Sequence, residues 1–344
     1  SHLCRLCLGS RGGAAMTTIR WGILGCGDVC EVKSGPGLQK AEGSELIAVM
    51  RRDAERAEDF ARRHNVPAWT SDADGLIGNT DVDAVYIATP PSTHLELTRK
   101  VAAAGKPVYV EKPMAPDGTQ AQQMHDVCTE AGVPLFVAYY RRRLPIFLQV
   151  ERWLKEGAIG DVRFVNIRLF SGPSQADLSG AGVGWRVQAD VAGKGGYFHD
   201  LGCHQLDVLD YLLGPIHDMS GQSVNQAGLY DCDDAVTAAW GHSSGVVGSG
   251  LWVFTAFKDS RTEQIEIVGS EGRIFCSAFD LAAPLRLERP AGTIKDVTIA
   301  PPNHVQQPLI QSVVDELLGR GQCPSTGESA LRTARVMDRV LGTG

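Results

Sequence analysis

Ile19-Arg20-Trp21-Gly22-Ile23-Leu24-Gly25-Cys26-Gly27-Asp28-Val29 is the stretch on which the fold turns. Ile19–Leu24 is a short apolar run that reads as a strand, and it meets a tight turn at Gly25-Cys26-Gly27. Glycines at a strand-to-helix turn let the backbone approach a pyrophosphate, and the N-terminus of the next helix adds N–H donors and partial positive charge. This makes Gly25, Gly27, Asp28 and Val29 candidates for cofactor binding. The third glycine of the G-x-G-x-x-G pattern is absent and Cys30 stands there, a residue small enough for helix–strand packing. A glycine turn that binds nothing would look the same in isolation, so the surrounding order has to decide.

Outward from this turn the chain alternates. Glu45–Met50 and Asp83–Ala88 read as strands, with a helical pattern over Ala54–His64 between them. A helix capped at Ser92 or Thr93 runs to about Ala104, followed by a strand at Val108–Val110. A helix at Thr119–Ala131 and a strand at Pro134–Ala138 complete the series. Near-continuous apolar strands in β-α-β-α order predict a doubly wound parallel sheet covered on both faces. Beyond about Gly157 the pattern changes. Val162–Phe170 alternates, Ser171–Ala192 reads as a Gly- and Ser-rich loop, and Leu201–Leu213 is apolar at helical spacing. Strand-like runs then cluster between Asp234 and Glu288, which predicts a mostly antiparallel sheet, and helices return at His304–Leu318 and Gly327–Leu341. The division expected is a leader at 1–15, a dinucleotide-binding domain at 16–138 and an α/β substrate and oligomerisation domain at 139–344, with the last helix free to pack back on the first domain.

The 344 residues give roughly two domains at about 150 residues each. Apolar residues at 43% and charged residues at 21% are those of an ordinary globular enzyme. A net charge of −7 without a long basic run argues against a nucleic-acid partner. No run approaches the roughly 18 apolar residues of a membrane span. Nine scattered cysteines, an odd number, read as reduced thiols in a cytoplasm. Cys4-x-x-Cys7 has no second pair at zinc spacing, so no metal is expected.

Three further places carry chemistry. Arg51-Arg52-Asp53 follows the second strand, where an NAD-preferring domain has an acidic residue; a guanidinium there attracts a 2′-phosphate and favours NADP over NAD, unless the pair simply faces water. Lys112, in Glu111-Lys112-Pro113, stands at the C-terminal end of a parallel strand, the edge where open α/β sheets bind ligands. Asp200 and His204 are four apart and would share a face on a helical turn, where the carboxylate would orient the imidazole and raise its basicity. Asp207 could tune His204 or face solvent, and the three together could hold a metal, though nothing in their spacing demands one.

Taken in order, these pieces resemble the Gfo/Idh/MocA family of glucose–fructose oxidoreductases and inositol dehydrogenases. The resemblance rests on Gly25-x-Gly27, Ala88-Thr89-Pro90-Pro91-Ser92-Thr93-His94, Glu111-Lys112-Pro113, and Asp200-x-Gly202-x-His204 after Trp185-Arg186. It implies reversible hydride transfer between NADP or NAD and a sugar, polyol, anhydro-sugar ketone or dihydrodiol. Lys112, Asp200 and His204 would surround the reacting carbon, with the proton carried by His204 or by Lys112. Thr89, Pro90, His94 and Glu111 would lie along the cofactor, and Trp185 and Arg186 near the nicotinamide. The basic run after Ala138 would face substrate through Tyr139 and Arg141, favouring an anionic or densely hydroxylated ligand, or else it is solvated. A homodimer or homotetramer is implied, and the rival reading is a dinucleotide sensor of the same fold.

Overall fold

The computed structural model describes residues 16–180 and 184–343; the leader, with Cys4 and Cys7, lies outside them. Strands β1 (Ile19–Leu24), β2 (Ser44–Met50), β3 (Ala68–Thr70), β4 (Ala84–Ile87), β5 (Val108–Val110) and β6 (Leu135–Val137) form a parallel sheet in the order 3-2-1-4-5-6. Every residue of β4, β5 and β6 is buried, as strands covered on both faces require. The helices between them are α1 (Asp28–Val32), α2 (Ser34–Lys40), α3 (Ala54–His64), α4 (Ala73–Gly78), α5 (His94–Ala103) and α6 (Gly118–Ala131). Asp53 caps α3 through the Arg56 N–H, and Asp117 caps α6 through the Gln120 N–H. Since β2 and β4 flank β1, the chain leaves β1 in one direction and returns on its other side. The C-terminal ends of β1 and β4 therefore border a crevice, the switch point of a doubly wound sheet.

The second half contains α7 (Pro145–Lys155), β7 (Val162–Phe170), α8 (Gln175–Ser179), α9 (Ala189–Ala192) and α10 (Cys203–Leu213). Strands β8 (Ile216–Val224), β9 (Ala235–His242), β10 (Val247–Val253), β11 (Thr262–Gly269), β12 (Arg273–Cys276), β13 (Leu285–Arg289) and β14 (Thr293–Val297) join β7 in one sheet, ordered 14-13-12-11-7-10-9-8. All neighbours are antiparallel except β7 and β10. Val165, Ile167, Trp252, Ile265 and Ile267 point to the buried face. The closing helices α11 (Gln307–Leu317) and α12 (Gly327–Leu341) return to the first sheet. The Gly118 N–H donates to Asp338 Oδ2 at 2.6 Å, the Ser325 hydroxyl donates to Val137 O at 2.6 Å, and Phe136 bridges to Thr326.

Three details differ from the sequence reading. The segment read as a loop over Ser171–Ala192 contains α8, a 3₁₀ turn at Trp185–Val187 and α9, each too short to show a period. The helix expected from Leu201 begins with a π-helical turn at Phe198–Gly202. Strands β3, β8 and β14 carry no apolar alternation; β14 is almost wholly exposed, so burial left no mark on it.

Candidate active site

A cleft of about 690 Å³ opens at the C-terminal ends of β1 and β4. Gly25, Gly27, Asp28 and Val29 line one side, and Thr89 and Pro90 another. Gly25 has φ +86°, and a Cβ there would lie 2.6 Å from Thr89 Cγ2. Only glycine leaves this floor open, so the residues present fit a dinucleotide whose pyrophosphate approaches the backbone. Cys30, standing for the third glycine, is fully buried beneath the turn. Arg51 and Arg52 line the same cleft, and Arg51 Nη1 donates to Cys26 O at 3.3 Å. Arg56 and Lys100, which the sequence did not single out, add two more cations to the wall.

Trp185 and Arg186 close the cleft from the second half of the chain, the guanidinium stacked 4.6 Å from its neighbour's ring centroid. Arg186 Nε reaches Asp200 Oδ2 at 3.1 Å, and Lys112 Nζ donates to Asp200 Oδ1 at 2.7 Å and to Asp200 O at 3.0 Å. Arg186 on the cleft wall is thus joined through Asp200 to Lys112. Burial alone would lower the Lys112 ammonium, but Asp200, with Cys203 nearby, outweighs it and the group is held above its ordinary value. Burial pushes Asp200 up, yet Lys112 and Arg186 bring its carboxyl below the usual range.

His204 is the second residue of α10, ringed by Tyr139 at 6.0 Å, Tyr140 at 5.5 Å and Phe279 at 6.1 Å between ring centroids. Burial, then the charges of Arg141, Lys112 and Lys33, hold it well below the ordinary histidine value. This corrects the expected carboxylate–imidazole pair. Asp200 is committed to Lys112 and Arg186, and the wider i→i+5 turn at Phe198–Gly202 alters the angle between positions 200 and 204. Burial without a counter-charge therefore disfavours the imidazolium of His204, and its Nδ1 is buried with no partner among the described residues.

Other candidates sit elsewhere. Asp207 neither tunes His204 nor faces water, because its carboxylate takes two hydrogen bonds from the buried Arg142, at 2.8 and 2.7 Å. Among the described residues no three His, Cys, Asp or Glu side chains gather as a metal site. His94 is buried, with Nε2 2.8 Å from Thr89 O and Nδ1 3.0 Å from Met114 O, so it braces the loop beneath the cleft and does not line it. Glu111 is also internal: Oε1 accepts from Tyr86 at 2.6 Å and Gln306 at 2.7 Å, and Oε2 from the Lys112 N–H at 3.1 Å. Tyr139 and Arg141 are both buried beside His204, so the basic run is not solvated as a whole. Phe279 was missed; it arrives from the loop after β12, with no local signal to announce it.

Comparison with known proteins gives the same picture. Residues 19–139 match the Gfo/Idh/MocA oxidoreductase family with an NAD-binding Rossmann fold, and residues 147–275 match the C-terminal domain of that family. Oxidoreductase P35 of Formosa agariphila is 36% identical over 327 residues, covering 94% of this chain and 99% of that protein. The 1,5-anhydro-D-fructose reductase of Ensifer adhaerens is 27% identical over 338 residues, 94% of this chain and 97% of that protein. The crystal structure of a 3-ketoreductase from Actinomadura kijaniata, complexed with NADP and TDP-benzene, superposes with a TM-score of 0.80 at 25% identity, covering 95% of this chain and 98% of that one. With two family domains matched in tandem and a full-length relative sharing more than a third of its residues, the chain belongs to the Gfo/Idh/MocA oxidoreductase family.

Proposed function

We propose that this oxidoreductase moves hydride between NADP(H) or NAD(H) and the CH–OH or carbonyl carbon of a sugar, polyol, anhydro-sugar ketone or dihydrodiol, with Lys112, Asp200 and His204 as its catalytic residues. The observation that carries the reading is the chain of contacts from the cleft wall inward, Arg186 to Asp200 at 3.1 Å and Asp200 to Lys112 at 2.7 Å, with the buried His204 four residues beyond Asp200. When bound, the nicotinamide accepts or gives the hydride. In oxidation a ring nitrogen of His204 takes the hydroxyl proton, while Lys112 Nζ–H donates to the substrate oxygen as charge builds on it. In reduction the proton returns. Asp200 keeps Lys112 protonated and aimed, and Arg186 links that carboxylate to the cofactor cleft. Tyr139 and Arg141 form the substrate wall. A sensor has no use for such a proton-handling cluster.

Arg51, Arg52, Arg56 and Lys100 along one cleft favour NADP, through charge-assisted bonds to a 2′-phosphate. Phe164, Val247 and Leu251 lie exposed on the outer face of the eight-stranded sheet, a surface suited to a homodimer or homotetramer. The seven described cysteines are all free and buried, in keeping with a reducing compartment such as the cytoplasm. No helix among the described residues is long and apolar enough to cross a membrane. The division near residue 139 falls between the last strand of the parallel sheet and the substrate wall.

The test follows cofactor absorbance across a panel of sugars, polyols and keto-sugars. Lys112→Met is expected to lower turnover about 10³-fold, with cofactor affinity retained. Turnover equal to that of the parent enzyme would remove Lys112 from the mechanism.

A further inference from the structure

Adjacent arginines meet opposite fates after β6. Arg142, buried for structural reasons, is given two carboxylates: Asp207 at 2.7 Å and Asp210 at 3.4 Å. Arg141 is 3% exposed, yet among the described residues its side chain makes one hydrogen bond, from Nε to Ala278 O at 2.7 Å. Its guanidinium is sandwiched 4.9 Å from the Tyr140 ring centroid and 4.7 Å from that of Phe279. Nη1 is buried without a partner among the described residues, as is His204 Nδ1 beside it. Withdrawing a cation from water without a counter-charge is strongly unfavourable, so the absent carboxylate calls for an explanation.

Three buried or half-buried carboxylates from the surrounding elements are already committed elsewhere. Asp200 is held by Lys112 and Arg186, and Glu111 by Tyr86 and Gln306. Glu263, behind the wall, accepts from Ser277 and from the Ala278 and Phe279 N–H groups. A second cation acts on the same imidazole. Lys33, at the C-terminal end of α1, is exposed and enters no ion pair among the described residues, and its charge reaches His204 as that of Arg141 does.

We propose that the substrate brings the missing carboxylate: the enzyme acts on a sugar acid, held at its carboxylate by Arg141 and Lys33 while its carbinol or carbonyl carbon faces Lys112 and His204. This rests on the dehydrogenase reading above and narrows its substrate class. A neutral sugar of the same stereochemistry leaves the guanidinium unpaired, so selection between acid and parent sugar is made at Arg141.

The experiment compares matched pairs with the holoenzyme: D-glucuronate against D-glucose, D-galacturonate against D-galactose, and D-gluconate against D-glucitol. Initial rates give kcat/KM, and quenching of bound NADPH fluorescence gives affinity. The acid of at least one pair is expected to exceed its neutral parent by about 100-fold. Arg141→Gln should cut that ratio by about 30-fold, and Lys33→Gln, at an exposed position where folding is not at stake, by about 5-fold. Acid and parent equal in every pair, by rate and by binding, overturn the proposal; so does an acid preference that neither variant moves. Turnover of the neutral sugars alone sinks the sugar-acid assignment and leaves the dehydrogenase standing. A chain that binds neither NADPH nor NADH sinks both.

Discussion

Arg51→Ser is the substitution that most directly tests how the cleft chooses its cofactor. Arg51 is half-buried at the cleft wall, tethered at 3.3 Å to the carbonyl of Cys26 in the glycine turn. A dinucleotide whose adenosine ribose lay along this wall would bring its 2′-position toward the guanidinium. A 2′-phosphate carries about −1.5 to −2 charges, and a hydrogen bond to a charged group contributes about 1.5–3 kcal/mol net. The site is open to water, and Arg52 and Arg56 remain nearby, so the lower part of that range applies. A loss of about 2 kcal/mol corresponds to roughly 30-fold in Kd. NADH, lacking the phosphate, should lose less than about 3-fold. Titration of each reduced cofactor by fluorescence, with no substrate present, reads both numbers. The NADPH affinity should also fall more steeply with salt in the parent than in the variant. Equal losses for the two cofactors would mean that Arg51 only supports the turn, and no loss for either would mean that it faces solvent; both refute the NADP preference argued from this wall.

Gly25→Ala should destabilise the chain by about 1–2 kcal/mol from its left-handed backbone alone and weaken dinucleotide binding, because its methyl meets Thr89; unchanged melting and affinity would contradict that geometry. Asp207→Ala, which leaves Arg142 with Asp210 at 3.4 Å and the Pro324 carbonyl at 3.0 Å, should cost about 3 kcal/mol, whereas Arg142→Met with Asp207→Leu should recover most of it; denaturant melts decide, and an unaffected Asp207→Ala would refute the buried pair. His94, His199, His204 and His242 are each held below their ordinary value, chiefly by burial. The unfolded chain therefore binds more protons below about pH 6.5, and stability should fall as pH drops from there. His204→Gln should flatten that decline, and a melting temperature that holds level between about pH 7 and pH 5 would argue against neutral buried imidazoles.

What the sequence revealed and what it hid divide along the range of the interactions. The turn at Gly25-Cys26-Gly27 was readable because its geometry is local: one positive φ and one close approach demand glycine. Lys112 was readable for a similar reason, as it ends a fully buried strand. The pairing of Asp200 with His204 was misread, since spacing of four assumes an α turn and the chain makes a π turn there. Nothing nearby in sequence tells Arg141 from Arg142; carboxylates from α10 decide, more than sixty residues on. Phe279 reaches His204 from the loop after β12, far along the chain, and Glu111 and His94 look like ligand-facing residues until their internal partners are known.

The closing helix has a consequence for synthesis. All six strands of the parallel sheet have been made once residue 137 is translated, but the carboxylate that receives the Gly118 amide belongs to Asp338, and the hydroxyl on the Val137 carbonyl to Ser325. On the ribosome the nascent amino-terminal half waits with a raw flank until Ser325 and Asp338 have been added, so the first sheet is finished only by residues made long after its own last strand.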